Sequence, residues 1–130
     1  MFCSFARLQP GDAGAYTMSH EEAWDRLRAR VAAGDAITEI HIVNGLHPGL
    51  PFDYYTGLLA GLKDIQPSIH LKAFTAVEIF YFAKKFGMPV AEVIERLHAT
   101  RMDSLPNDEA EIFAPKMRKK ICDDKCTADE

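Results

Sequence analysis

The chain has 130 residues, 48% of them hydrophobic and 26% charged, which is the composition of one globular domain and excludes disordered, collagen-like and disulfide-dense proteins. Fifteen Lys and Arg residues against nineteen Asp and Glu give a net charge of −4, which argues against a general nucleic-acid binder. Charged residues or glycines interrupt every apolar run well before the ~18 residues that a membrane span requires, so we expect no span.

The three cysteines, Cys3, Cys122 and Cys126, are odd in number and do not form a secreted disulfide framework. The first residues also lack the basic and then apolar pattern of a signal peptide. We therefore expect a cytoplasmic protein, in which a cysteine is a metal ligand, a reactive thiol or a small apolar side chain. Two thiolates at the spacing of Cys122 and Cys126 do not by themselves complete a metal site.

The first predicted helix begins at Ser19, because Glu22 follows three residues later and the two form a capping-box pattern. Gly34 suits the left-handed residue that closes such a helix. Residues 38–43 alternate β-branched and polar side chains, which predicts a short strand that ends at Asn44.

A second helix is predicted between Pro51 and Pro67, because apolar residues recur there at helical spacing. Its apolar face consists of Tyr55, Leu58, Leu59, Leu62 and Ile65. Residues 69–75 then alternate again and predict a second strand.

The second half of the chain predicts three more helices and one weak strand. The third helix covers residues 77–86, and Pro89 fits the first turn of the fourth. The apolar face of the fourth helix consists of Val90, Val93, Ile94 and Leu97. Residues 102–105 predict a short strand, and Pro115 can start a last helix.

The predicted strands recur roughly every 31–34 residues with helix between them, which is the period of the βαβ unit with parallel strands. Three strands do not close a barrel, for which about eight are needed. We therefore expect residues 1–130 to be a fragment of an α/β barrel domain, with about three parallel strands and the helices on the outside.

Both strands carry ionisable side chains on one face, which fully buried parallel strands rarely do. Glu39 and His41 share one face of the first strand, and His70 and Lys72 share one face of the second. Burial of these groups without partners would cost several kcal/mol. Two interpretations remain open: a polar barrel lumen, or a solvated face at an open edge.

Asn44 and Gly45 lie at the carboxyl end of a predicted parallel strand, where ligands bind in such folds. The same residue types also occur in an ordinary strand-to-helix turn, which is the interpretation that the pattern favours without further evidence. His47 in the same loop, and Thr75 and Glu78 after the second strand, are placed for function as well.

Long motifs in the sequence are similar to one enzyme family. Residues 40–55, IHIVNGLHPGLPFDYY, resemble the second-strand region of the radical S-adenosylmethionine enzymes of menaquinone (futalosine) biosynthesis. Residues 71–79, LKAFTAVEI, resemble the aminofutalosine synthase group of that family, and residues 103–106, 110–113 and 120–125 continue the match. The resemblance implies a partial TIM barrel of the radical S-adenosylmethionine type.

The family's cofactors are a [4Fe–4S] cluster, held by a C-x3-C-x2-C motif, and S-adenosylmethionine. By resemblance, Cys3 is the third cluster ligand and Phe2 packs near the adenine, while the first two cysteines would fall just before Met1. Asn44 and Gly45 match a Gly-Gly-type turn that meets the methionine end of S-adenosylmethionine. Glu111 matches a glutamate that faces the active site.

The activity that the resemblance implies is addition of a 5′-deoxyadenosyl radical to 3-[(1-carboxyvinyl)oxy]benzoate, which forms aminofutalosine with a reductant such as flavodoxin or ferredoxin. Our own inference is that His41, His70 and Lys72 bind this dicarboxylate substrate. A sister enzyme of the dehypoxanthine futalosine cyclase or deazaflavin synthase type is the alternative, which residues 72–75, KAFT, disfavour. A non-catalytic α/β binding module is a further alternative.

Overall fold

The computed structural model describes Arg7, residues 11–106 and residues 114–121. In these residues five helices and two strands follow one another along the chain. They are α1 (His20–Ala32), β1 (Glu39–Ile42), α2 (Phe52–Ile65), β2 (His70–Ala73), α3 (Ala76–Phe86), α4 (Val90–Ala99) and α5 (Pro115–Ile121). The predicted α/β fold with five helices is confirmed, and no helix in the described ranges is long and apolar enough to cross a membrane.

The predicted start and end of α1 are confirmed. The hydroxyl of Ser19 accepts the N–H of Glu22 at 3.2 Å, and the Glu22 carboxylate accepts the N–H of Ser19 at 2.7 Å. Gly34 follows the helix with a φ of +81°, a conformation that costs a glycine little.

The prediction for α4 needs two corrections. Pro89 is the N-cap residue that precedes the helix, and not a member of its first turn. Val93 and Leu97 are buried as predicted, whereas Val90 and Ile94 are 40% and 39% exposed. The buried stripe of this ten-residue helix is therefore narrower than the apolar spacing suggested, because α4 contacts the core along one line of residues one turn apart.

β1 and β2 pair in parallel, with Glu39 opposite His70 and His41 opposite Lys72. The predicted third strand at residues 102–105 is wrong in its extent, because only an isolated parallel bridge joins Ser104 to Lys72. Pro106, directly after the predicted strand, has no N–H with which to continue the hydrogen-bond ladder. Among the described residues the sheet thus has two strands, and a three-stranded partial barrel is not confirmed.

The core lies on the apolar side of the sheet and collects buried residues from α1 to α4. An aromatic cluster forms its centre: the ring of Tyr55 lies 4.3 Å from that of Phe82 and 5.7 Å from that of Phe74, measured between centroids. Leu71 and Ala73 of β2 are fully buried against this core. The opposite face of both strands carries the ionisable residues and forms part of the candidate site.

Candidate cofactor and substrate site

The turn after β1 is held by a residue from the next βα unit. The backbone N–H of Asn44 donates a 2.9 Å hydrogen bond to Oε1 of Glu78, which lies in the first turn of α3. Glu78 is only 2% exposed, so its carboxylate is one of the few buried charged groups in the described structure. The turn and the start of α3 are thereby joined at the carboxyl edge of the sheet.

The second oxygen of Glu78 completes a capping box on α3. Oε2 accepts the N–H of Thr75 at 2.9 Å, and the Thr75 hydroxyl accepts the N–H of Glu78 at 3.3 Å. Glu78 therefore accepts one backbone N–H from each of the turns that follow β1 and β2. The pattern Thr-x-x-Glu in the sequence is a capping-box signal, and it could have predicted this helix start. The contact with Asn44 has no sequence signal.

Phe74, at the end of β2, adopts a left-handed backbone with a φ of +61° although it is not glycine. Its N–H donates to the carbonyl of Ile42 at 2.9 Å, and its side chain is fully buried. Such a conformation costs about 1–3 kcal/mol and persists only where the surroundings enforce it. Here it ends β2 sharply and turns Thr75 into the N-cap position of α3.

The side chain of Asn44 has an amide nitrogen, Nδ2, that is buried and has no hydrogen-bond partner among the described residues. A buried donor without an acceptor is costly, and it requires an explanation such as a bound water, ion or ligand. At the adjoining Gly45 an added Cβ would meet no atom within 4 Å, so the backbone is open to close approach. These two features fit the carboxylate at the methionine end of S-adenosylmethionine.

The polar face of the sheet is a hydrogen-bonded cluster. Nε2 of His41 contacts Oε1 of Glu39, and Nε2 of His70 lies 2.8 Å from the hydroxyl of Ser104. The other oxygen of Glu39 is 3.7 Å from Nε2 of His70. The hydrogen bond from His41, together with the charges of His41, Lys72 and His70, outweighs desolvation and lowers the pKa of Glu39. Glu39 is therefore ionised at neutral pH.

The structure places all three predicted substrate residues on one face of the sheet, at two positions along the strands. His41 and Lys72 are register partners in the half of the sheet nearer to Asn44, whereas His70 is the partner of Glu39 near the start of the strands. His41 is exposed, and Lys72 and His70 are half-buried. Within the described residues this face is accessible, as a solvated face or a lumen would both require.

The loop between β1 and α2 is fixed through His47. Its ring Nδ1 accepts the N–H groups of Gly49 and Leu50 at 3.1 and 3.2 Å. Its carbonyl accepts hydrogen bonds from Nζ of Lys85 at 2.8 Å and from the hydroxyl of Tyr81 at 3.0 Å. Because Nδ1 accepts, the neutral ring carries its proton on Nε2. His47 thus positions the loop that follows the Asn44 turn.

Three predicted site residues, Phe2, Cys3 and Glu111, lie outside the described residues, as do Cys122 and Cys126. Their predicted roles therefore stay predictions. Among the residues that the structure describes, no group of three or more His, Cys, Asp or Glu side chains is placed to hold a metal ion.

Sequence reasoning missed an ion pair between a buried lysine and a partly exposed aspartate at the opposite edge of the sheet. Nζ of Lys63 donates to the carbonyl of Ile69 and to Oδ2 of Asp103, both at 2.7 Å, and the same Asp103 oxygen accepts the N–H of Leu71 at 2.7 Å. Lys63 is 5% exposed. Its position on the apolar face of α2, one turn after Leu59, was the available signal for a buried, paired lysine.

Known enzymes match nearly the whole chain. The aminodeoxyfutalosine synthase of Streptomyces coelicolor is 44% identical over 122 residues, which cover 94% of this chain and 31% of that enzyme. The aminodeoxyfutalosine synthase of Thermus thermophilus is 38% identical over 128 residues, 98% of this chain and 34% of the enzyme.

A second enzyme name also occurs among the relatives. The 5-amino-6-(D-ribitylamino)uracil–L-tyrosine 4-hydroxyphenyl transferase of Methanopyrus kandleri is 40% identical over 129 residues, 99% of this chain and 34% of that enzyme. No protein-family model matches the chain. The chain spans about a third of the length of the curated relatives it matches.

The matches confirm the resemblance that the motifs indicated, at the level of the enzyme group. The two names do not separate the synthase from the transferase, because the identities of 44% and 40% are too similar to decide. The chain is a relative, over nearly its whole length, of the radical S-adenosylmethionine enzymes of the aminodeoxyfutalosine synthase and hydroxyphenyl transferase type.

Proposed function

We propose that residues 1–130 form part of the barrel of a radical S-adenosylmethionine transferase that makes aminofutalosine from 3-[(1-carboxyvinyl)oxy]benzoate. The observation that carries this proposal is the buried, unpartnered Nδ2 of Asn44, within the described residues, at the carboxyl edge of the parallel sheet. Ligands of α/β barrels bind at this edge, and the relatives are enzymes of this group.

In this proposal the turn after β1 binds the methionine end of S-adenosylmethionine. The Asn44 amide donates to the carboxylate of the ligand, and the open space at Gly45 lets the ligand reach the backbone. Phe2 packs near the adenine, Cys3 is one of the cluster ligands, and Glu111 faces the active site. When bound and reduced by a flavodoxin or ferredoxin, the cluster and S-adenosylmethionine supply the 5′-deoxyadenosyl radical.

The polar face of the sheet then binds the substrate. Lys72 and His41 face each other across the strand pair in the half nearer to Asn44, so a substrate carboxylate there would lie toward the cofactor turn. His70 extends the same face toward Glu39 and could receive the second carboxylate. The role of the protein is to orient the substrate and to shield it from water, while the cofactors perform the bond cleavage.

The synthase is preferred over the transferase because of residues 72–75. This segment reads KAFT and contains Lys72, the one permanent cation on the polar face among the described residues. A cation suits a dicarboxylate substrate. The hydroxyphenyl transferase reaction is the second candidate, since a relative with that name matches 99% of the chain.

A chimera tests the proposal and separates the two candidates. The matching third of the Streptomyces coelicolor synthase is replaced by this chain, and the same exchange is made in the Methanopyrus kandleri transferase. We expect the synthase chimera to form aminodeoxyfutalosine, and the transferase chimera to lose its own product. Product from the transferase chimera alone would contradict the synthase assignment.

Two controls make the chimeras informative. A synthase chimera that carries the Thermus thermophilus segment instead tests whether the junctions are tolerated, because that segment comes from a synthase and aligns with 98% of this chain. Formation of 5′-deoxyadenosine without added substrate reports on cofactor binding alone. If the junctions are tolerated and this chain supports neither product nor 5′-deoxyadenosine, the proposed function is wrong.

A further inference from the structure

We propose that Glu78 is a positioning residue: its carboxylate, supplied by one βα unit, fixes the Asn44–Gly45 turn of the neighbouring unit. That this turn serves S-adenosylmethionine rests on the proposed function. That Glu78 fixes the turn follows from the geometry of the described residues alone.

The carboxylate divides its two oxygens between the two turns. Oε1 accepts the N–H of Asn44 and Oε2 accepts the N–H of Thr75, both at 2.9 Å. Hydrogen bonds to a charged acceptor are roughly twice as strong as neutral ones, and burial strengthens them further. Among the described residues neither amide has a second acceptor, so Glu78 fixes the direction of both turns.

A capping box alone does not require this arrangement. Glutamine serves in the same position of a capping box, because one carbonyl oxygen suffices to accept the N-cap N–H. Only a carboxylate has a second acceptor for Asn44 N–H, since the other group of a glutamine side chain is an N–H donor. The capping box would accept either glutamate or glutamine, whereas the Asn44 contact requires the carboxylate.

The adjoining backbone indicates that this corner is held in one conformation. Phe74 keeps its left-handed φ of +61° while its N–H binds Ile42, two residues before Asn44. The two turns thus meet twice, once through Phe74 and once through Glu78. With the backbone fixed in this way, the Asn44 Nδ2 is held in place for a ligand acceptor without rearrangement, which lowers the cost of binding.

Glu78→Gln and Thr75→Ala form a matched pair of variants. The first keeps an acceptor for the capping box and loses the one for Asn44, whereas the second removes the hydroxyl of the box and leaves both carboxylate contacts. The measurement is amide hydrogen exchange of Asn44 in the 130-residue chain, taken relative to Leu71, whose N–H bonds to Asp103 at the other edge of the sheet. This ratio cancels any global loss of stability.

We expect Glu78→Gln to speed Asn44 exchange at least tenfold relative to Leu71, because a charge-assisted bond is lost, and Thr75→Ala to change the ratio less than about twofold. Calorimetric titration of the cluster-containing synthase chimera with S-adenosylmethionine is the second readout, in which Glu78→Gln should weaken binding by about tenfold and Thr75→Ala should not. If Glu78→Gln does not fold, Glu78→Asp replaces it, since the shorter side chain cannot reach both amides.

Three different results would each overturn a different part of the proposal. An unchanged exchange ratio in Glu78→Gln overturns the positioning role. Faster exchange with unchanged S-adenosylmethionine affinity overturns its relevance to the ligand. If the synthase chimera with unsubstituted Glu78 does not bind S-adenosylmethionine while the exchange ratio depends on Glu78, the proposed function is wrong and the fixed turn stands.

Discussion

The indole ring of Trp24 in α1 lies directly against the backbone of Gly61 in α2, where a side chain would overlap it. The indole Nε1 donates to the carbonyl of Leu58 at 3.3 Å, one turn earlier on α2. His20 makes the corresponding contact at Gly57, where an added Cβ would come within 2.9 Å of its Cε1. Two glycines one turn apart thus let the two helices approach closely.

Gly61→Ala should destabilise the fold by about 1–3 kcal/mol, because the rigid indole has to move, although alanine is the better helix former. Gly57→Ala meets only the edge of the His20 ring and should cost clearly less. Urea unfolding of both variants measures the difference. If Gly61→Ala were as stable as the unsubstituted chain, the close packing of α1 on α2 would be wrong.

Asp103 should make the protein sensitive to acid. Burial alone would raise the pKa of its carboxyl, but the hydrogen bonds from Lys63 and Leu71 outweigh it and lower the pKa below its ordinary value. Folding therefore favours the ionised form: this contribution is complete above the unfolded pKa and is lost as the pH falls through the folded one.

Asp103→Ala should cost about 2 kcal/mol at pH 7, because Lys63 and the Leu71 N–H lose their shared acceptor. Asp103→Asn keeps an acceptor and should lower the free energy of unfolding by less. The free energy of unfolding of this variant should also fall less steeply as the pH is lowered. Urea unfolding across the acidic range compares the two. Equal acid sensitivity of Asp103→Asn and the unsubstituted chain would contradict this assignment.

Tyr55→Phe should leave the free energy of unfolding unchanged or raise it by up to about 1 kcal/mol, since the Tyr55 hydroxyl is buried without a partner among the described residues. Burial, the neighbouring Tyr81 and the charge of Glu78 raise the pKa of Tyr55 to about 12. The protonated form is favoured by folding, so stability falls as the pH rises above 10. An ultraviolet titration of the variant should lack the last tyrosine step, and its persistence would show that another tyrosine is the buried one.

Glu39→Gln should strengthen the binding of an aromatic carboxylate such as 3-hydroxybenzoate. Glu39 is ionised and competes with any bound anion for His41, His70 and Lys72. Removal of one nearby negative charge at a solvent-exposed site should raise affinity by roughly fivefold at low salt and by less at high salt. Lys72→Met is the opposite control and should weaken binding. Equal affinity in all three proteins would exclude the polar face as the carboxylate site.

The sequence predicted most of the helices because their signals are local. Capping patterns, prolines and apolar spacing define α1 and α2 without reference to the rest of the chain. The extent of the third strand could not be predicted. Ser104 makes a single bridge to Lys72, and Pro106, two residues later, has no N–H to extend the pairing. Glu78 could be placed near the site from its position after β2, but its contact with Asn44 spans 34 residues and depends on the turn at Phe74.

In the proposed function the carboxyl edge of β1 and β2 binds S-adenosylmethionine. This is tested by titrating the isotope-labelled, cluster-containing synthase chimera with S-adenosylmethionine and following the amide and side-chain signals in two-dimensional NMR spectra. We expect the Asn44 side-chain amide and the Gly45 backbone to shift first, with smaller changes at Thr75 and none at Leu71. Shifts confined to the opposite edge around Leu71 and Asp103, or no shifts at Asn44 and Gly45, would contradict it.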